Sequence, residues 1–225
     1  MDNKTYEYVE DRSMTIQQYI NNIFKWMIIG VLTTFVTAFA LEKSSFMSYA
    51  GMLPFILIIF QFAVVIGLSR RLMTMKPITA KVLYMIYSVI TGVTFSYVIA
   101  SYTSFSVALA FLVAAIYFGV LVVLGTVDLT RIGTICLAGL FVYIIFSVIV
   151  MIFHLGVGTL IMPLISLALF AGITAYDMQK SLQLYNYASS NPEMLEKLSI
   201  YGAFNLYLDF VNIFLDILQL LGDNK

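Results

Sequence analysis

The sequence predicts an all-α membrane protein whose seven helices cross the bilayer, and three observations predict it. Of the 225 residues, 61% are hydrophobic and 11% are charged, whereas soluble domains carry about 25% charged residues. Seven apolar stretches, at 24–41, 52–69, 82–100, 106–125, 132–153, 160–177 and 199–221, each approach the ~20 residues that a spanning helix needs. Short polar or turn-forming segments separate them, so no soluble domain fits between spans. The chain divides into an N-terminal tail (1–23), one transmembrane domain (24–221) and a short C-terminal tail (222–225).

Each span has its own punctuation. The first follows a polar tail of mixed charge and stops at Glu42-Lys43-Ser44-Ser45. That tail lacks the basic start and immediate apolar run of a cleavable signal peptide. The second span closes on Arg70 and Arg71, ahead of Pro77, and the third stops at Tyr102-Thr103-Ser104. The fourth gives way to Asp128 through Arg131, and the fifth ends near His154 and the glycines at 156 and 158. His154 has no partner residues nearby and reads as a plain interfacial side chain. After the sixth span, MQKSLQLYNY keeps helical character to about Tyr187, ahead of Ser189-Ser190-Asn191-Pro192. The last run is long enough to span. A re-entrant run would instead bring the C-terminus back to the starting side.

Basic residues set the orientation. Lys4, Arg12, Lys25, Arg70, Arg71, Lys76, Lys81, Arg131, Lys180 and Lys197 fall on one side, and only Lys43 and Lys225 on the other. The N-terminus is therefore expected in the cytoplasm and the C-terminus outside. The formal net charge is zero, which leaves no basic field for nucleic acid. A single cysteine, Cys136, excludes an internal disulfide and a cysteine-based metal site. The composition calls for no cofactor.

Two acids stand out against the apolar background. Asp177 closes the sixth span in GITAYDMQK, and Asp209 lies inside the seventh in NLYLDFVNIF. A carboxylate at bilayer depth costs roughly 2.5–3.5 kcal/mol on insertion scales, so it needs a partner or a task. In the last span Asn205, Asp209, Asn212, Asp216 and Gln219 recur at alternating spacings of four and three. On a helix this puts all five on one face, a face that must meet protein or water. The bland alternative is glue, with buried amides and acids bonding between helices at about 0.6 kcal/mol each. If the sixth helix continues past its apolar run, Asp177 and Asp209 share a depth, and Arg70 or Arg71 can approach from the second span. Two close carboxylates cannot both ionise cheaply and titrate as a unit. An arginine bridging to them can latch helices together, and protonation would release it. For Arg70 and Arg71 the alternative is topology alone, since basic residues at a cytoplasmic helix end are the default.

At these residues the chain resembles the Bax inhibitor-1 family. The match is carried by GAFNLYLDFVNIFLDILQLLG, by ITAYDMQK, by IGLSRRL and by YTSFSVALAFLVAAIYFGVLVVLG with VDLTRIG after it, in the family's order across most of the chain. The resemblance implies six helices surrounding a central C-terminal helix. In bacterial members it implies a pH-sensitive calcium leak. By that resemblance Asp177 and Asp209 form the proton-sensing pair and Arg70, or else Arg71, the latch. The second span carries Gln61 where some members have an acid, and Gln219 stands where a basic residue is common. Asp216 is an added acid that can supply an outer cation contact.

Three functions are open. The first is passive calcium passage in a bacterial inner membrane, gated by protonation of the pair. Calcium takes six to eight oxygen ligands. Asp177 and Asp209, with Asp216, Asn205, Asn212 and Gln61 along the path, offer it a weak, transient site. The second is a regulatory role toward other membrane proteins, since the family includes members described as cell-death suppressors and as modulators of a membrane-anchored AAA protease. The third, intramembrane hydrolysis, lacks its constellation. Tyr176-Asp177 is present, but there is no GxGD motif, no Ser/His pair and no metal cluster, so no catalytic residue is expected.

Overall fold

The computed structural model describes residues 14–42, 53–71, 74–125, 127–153, 160–188 and 191–223. The tail through residue 13, Lys43, His154 and Lys225 lie outside these. The described residues form seven α-helices: α1 Ile16–Glu42, α2 Leu53–Arg71, α3 Pro77–Ala100, α4 Ser104–Leu124, α5 Thr130–Phe153, α6 Ile161–Ala188 and α7 Pro192–Leu221. Six of them, all but α2, are long and apolar enough to cross a membrane; α2 contributes a shorter apolar run, Ile56–Gly67.

Several helices start earlier than their apolar runs, because caps rather than hydropathy fix where a helix begins. At α1, Thr15 and Gln18 form a reciprocal capping box. The Thr15 amide donates to Gln18 Oε1 at 2.9 Å, and the Gln18 amide donates to Thr15 Oγ1 at 3.2 Å, satisfying two otherwise orphaned donors. At α7, Asn191 accepts from the Met194 amide at 3.0 Å, and Pro192 takes the first helical position, where its missing N–H costs nothing. Pro77 does the same for α3. Thr103 caps α4 by accepting from the Ser106 amide at 3.2 Å.

The register of side-chain contacts gives the helix directions. Asn22 bonds Ser199 and Thr34 meets Tyr207, so α1 and α7 run parallel. Phe111 packs on Phe214 and Phe118 on Phe210, so α4 runs antiparallel to α7. Gly202 faces Ser181 while Asp209 lies beside Thr174, so α6 is antiparallel as well. The last helix is unbroken from Pro192 to Leu221 and parallel to the first.

Helix α7 packs against α1, α3, α4 and α6; α2 packs mainly on α3, and α5 mainly on α6. Of the six long helices α7 is the most buried and α5 the least. Between α1, α4 and α7 an aromatic cluster fills the core, with Phe35 edge-on to Phe111 at 4.9 Å and to Phe214 at 5.0 Å. Such ring pairs contribute about 0.5–1.5 kcal/mol beyond their buried area. The chain beyond α7 is tied down: the Asp223 amide donates to Ser106 Oγ at 2.9 Å, and the Thr103 amide donates to the Asp223 carbonyl at 3.1 Å.

Candidate functional site at the interface of α6 and α7

The polar stripe of α7 faces α6. Asp209 is 4% exposed, and one of its carboxylate oxygens, Oδ2, has no hydrogen-bond partner. Beside it stands the Thr174 hydroxyl of α6. That hydroxyl is already committed, donating to the Phe170 carbonyl at 2.7 Å. A serine or threonine hydroxyl has one proton to give, so an ionised Asp209 would keep an oxygen without a donor. A protonated carboxyl would itself become a donor. Asp177 lies within electrostatic reach of Asp209. The two acids that the sequence singled out are therefore within electrostatic reach of each other across antiparallel helices, with Asp177 about one turn along α6 from the level of Asp209.

Seven residues further along α7, Asp216 repeats the pattern. It is 8% exposed, its Oδ2 also lacks a partner, and Ser166 of α6 stands beside it. Between the two acids Asn212 turns its amide back onto the Leu208 carbonyl at 2.7 Å. Asn205 is half-buried, and Gln219 is exposed near the end of the helix. Four of the five stripe residues are thus sheltered by protein.

The cation whose charge acts on Asp177 is one whose role sequence reasoning passed over. Lys180, three residues after Asp177, places its charge within reach of that carboxylate and its ammonium 5.9 Å from the centre of the Tyr176 ring. The helix rule that pairs residues three apart would have found it. Arg70 and Arg71 are exposed at the end of α2. The ion pairs among the described residues are Lys81–Glu196 and Lys197–Glu193, so a bridge from either arginine to the acids is not formed in this structure. The reason lies in the packing: α2 rests on α3, away from α6. Gln61 is also placed elsewhere, its amide donating to Thr91 Oγ1 at 3.0 Å.

That bond belongs to a second polar network, on the opposite side of α7. Thr34 Oγ1 donates to the Ser88 carbonyl at 3.0 Å and lies 2.7 Å from the Tyr207 hydroxyl. Its proton being spent on Ser88, Tyr207 is the donor of that pair. Thr91 donates to the Tyr87 carbonyl at 2.9 Å, and Ser88 to that of Tyr84 at 3.0 Å.

The loop between α4 and α5 is clamped to α6 next to the pair. Gln179, two residues after Asp177, accepts from the Leu129 amide at 3.0 Å and donates to Asp128 Oδ1 at 2.9 Å. Asp128 Oδ1 also accepts the Thr130 hydroxyl at 2.8 Å and the Thr130 amide at 3.1 Å. These bonds, Gln179's foremost, hold the exposed Asp128 carboxyl below the usual carboxylate range. Among the described residues no three His, Cys, Asp or Glu side chains cluster as a metal site would require.

A family model described as "Inhibitor of apoptosis-promoting Bax1" matches residues 16–225. The chain belongs to the Bax inhibitor-1 family. Among its relatives is the inner membrane protein YbhL of Escherichia coli strain K12, 32% identical over 218 residues that cover 93% of each chain. A protein of Deinococcus radiodurans is 33% identical over 216 residues, covering 91% of this chain and 90% of the other. A protein of Borreliella burgdorferi is 30% identical over 215 residues, covering 92% and 93%. This member of the Bax inhibitor-1 family is an integral membrane protein with an all-helical fold.

Proposed function

We propose that this Bax inhibitor-1 family member is a passive cation leak of the bacterial inner membrane, the membrane for which its relative YbhL is named. Calcium is the ion it passes, and protonation of the Asp177–Asp209 pair gates the passage. One observation carries the reading: a buried carboxylate on α7 with an unpartnered oxygen, facing a second acid on α6. An acid kept at that depth needs a task. Two acids and a hydroxyl supply too few ligands for tight binding, and weak binding is what passage requires. In this reading the N-terminus is cytoplasmic, the C-terminus is outside, and α6's own Lys180 is the cation that tunes the pair. Arg70 and Arg71 keep the latching role only if α2 moves toward α6.

The test is calcium flux into liposomes holding the purified protein, measured across a pH series. Wild type is expected to show a pH-dependent rate, and Asp177→Asn and Asp209→Asn a changed or abolished dependence. Superimposable curves for all three would remove the gate.

A second reading, regulation of a membrane partner, draws on α5. Its apolar surface is mostly exposed, with Phe141 at 67% and Ile135 at 70%, and it packs mainly on α6. Stoichiometric co-purification of one membrane protein, lost when α5's outer face is altered, together with no flux from the pure protein, would favour it.

A further inference from the structure

We infer that Asp216 and Ser166 form a second cation station on the same path, two helical turns along α7 from the gating pair. This rests on the cation-path reading above and extends it to a site that the pair does not include.

The geometry is a repeat. Asp209 and Asp216 are seven residues apart on one face of α7, about 10 Å at helical rise. Each is at least nine-tenths buried, and each has an Oδ2 with no hydrogen-bond partner. Each has one hydroxyl of α6 beside it, Thr174 for the first and Ser166 for the second. On α6 these hydroxyls are eight residues apart, which matches the separation of the acids across an antiparallel pair. The α6–α7 seam thus presents carboxylate and hydroxyl oxygens at two successive depths.

The surroundings separate this site from helix glue. Neither α3 nor α4 carries an acid; α1 carries Glu42 at its last position, and α6 carries Asp177 near the first station, eleven residues from Ser166. Asp216 is therefore the only acid on the inward stripe beyond Asp209. No basic side chain forms an ion pair with it among the described residues. An asparagine would hold Ser166 as well, without the cost of an ionisable group at depth. An oxygen left without a donor has lost its hydration with nothing in return. A hard cation recovers that loss, because it is coordinated by such carboxylate and hydroxyl oxygens, with water completing its shell.

The experiment uses the full-length protein and two readouts. In detergent, terbium(III), a luminescent stand-in for calcium, is titrated against wild type, Asp216→Asn, Asp216→Glu and Asp209→Asn. In liposomes the same variants are assayed for calcium flux. The station predicts that Asp216→Asn weakens terbium binding about tenfold, as loss of a charged ligand does. Asp216→Glu should restore much of it, and Asp209→Asn should leave the Asp216-dependent emission in place. Calcium flux through Asp216→Asn should fall by a similar factor at every pH without moving the pH midpoint. If Asp216→Asn does not fold, Ser166→Ala takes its place, with a smaller loss expected. Wild-type terbium binding in Asp216→Asn, or in Ser166→Ala where that variant stands in, overturns the station whatever the flux does. Absence of flux from wild type, with terbium binding still dependent on Asp216, sinks the leak and leaves the station standing.

Discussion

Substituting Gly92 tests the close approach of α1 and α3, on which the hydroxyl network depends. A methyl at this position would sit 2.5 Å from the β-carbon of Thr37 and 2.6 Å from the Thr34 carbonyl oxygen. Non-bonded carbons rest at about 3.5–4.0 Å, so the two helices must part by about 1 Å. Neither obstacle can swing aside, one being backbone and the other the first side-chain atom of a helical residue. Overpacking of this kind costs roughly 1–3 kcal/mol. Parting also stretches the 3.0 Å bond from Thr34 to the Ser88 carbonyl beyond hydrogen-bond range, for about 1 kcal/mol more. Alanine regains roughly 0.5–1 kcal/mol of helix propensity over glycine. The net expectation for Gly92→Ala is a loss of roughly 1–3 kcal/mol. Gly119 is the control: it is exposed, and a methyl there meets nothing within 4 Å, so Gly119→Ala should be neutral or slightly stabilising. Both are read by reversible unfolding of the purified protein in mixed micelles. Equal stability of Gly92→Ala and wild type, or an equal loss in both variants, would refute the packing argument.

The polar contacts carry three further expected outcomes. Asp128 is held below the usual carboxylate range by its acceptor bonds, so those bonds contribute fully above the ordinary carboxylate value near pH 4 and weaken only as pH falls through the lowered one. Hydrogen-exchange protection of the Thr130 amide should therefore be level from neutral pH to about pH 5 and drop below about pH 4. Gln179→Ala should lower protection of the Leu129 amide roughly fivefold at neutral pH, the worth of one hydrogen bond; unchanged protection would rule the clamp out. Lys180→Gln should move the pH midpoint of calcium flux upward by roughly 0.3–1 unit, because a carboxylate that loses a cationic neighbour gives up its proton less readily. Arg70→Gln should leave the midpoint in place. The reverse pattern would return the tuning role to the arginine.

Much of this architecture was legible in the sequence, and what was not has a physical cause. The apolar runs located the seven helices, six of them long and apolar enough to cross a membrane, and the four-three spacing from Asn205 to Asp216 found a sheltered face of α7. The helical character of MQKSLQLYNY foretold that α6 would run on to Ala188, which keeps Asp177 inside the helix that packs against α7. Hydropathy misjudged where α1 and α7 begin, since polar turns there are held by Thr15, Gln18 and Asn191, and a cap's contribution is local bonding rather than transfer to lipid. The partners Thr174 and Ser166 were invisible for another reason. Threonine and serine inside a membrane helix can satisfy themselves on the preceding turn, so their presence does not reveal a neighbour. Which of them faces an acid depends on helix rotation and register, quantities that a single apolar run does not encode. Gln61 is the converse case. Read in isolation as a polar group at depth, it fitted a cation path, whereas packing of α2 on α3 gives it Thr91.

The two sides of α7 differ in how completely the polar groups named above are satisfied. Toward α1 and α3, the Tyr207, Thr34, Ser88 and Thr91 hydroxyls each donate to a named acceptor, so breaking that side means losing bonds with no compensation from water. Toward α6, Asp209 and Asp216 each keep an oxygen without a donor, and a proton or cation arriving there gains an interaction without breaking one. The unpartnered carboxylate oxygens thus lie along the α6–α7 seam. Helix α6 does not stand alone at that seam. Gln179 holds the α4–α5 loop, and Gly125 and Gly133 press against Ala175 and Tyr176 so closely that a β-carbon on either would collide. The segment from Ala175 to Lys180 thus carries the acid, its neighbouring cation and part of the docking surface for α5 within less than two helical turns. Asp177 thus sits among the same few residues that hold α5, the least buried of the six long helices.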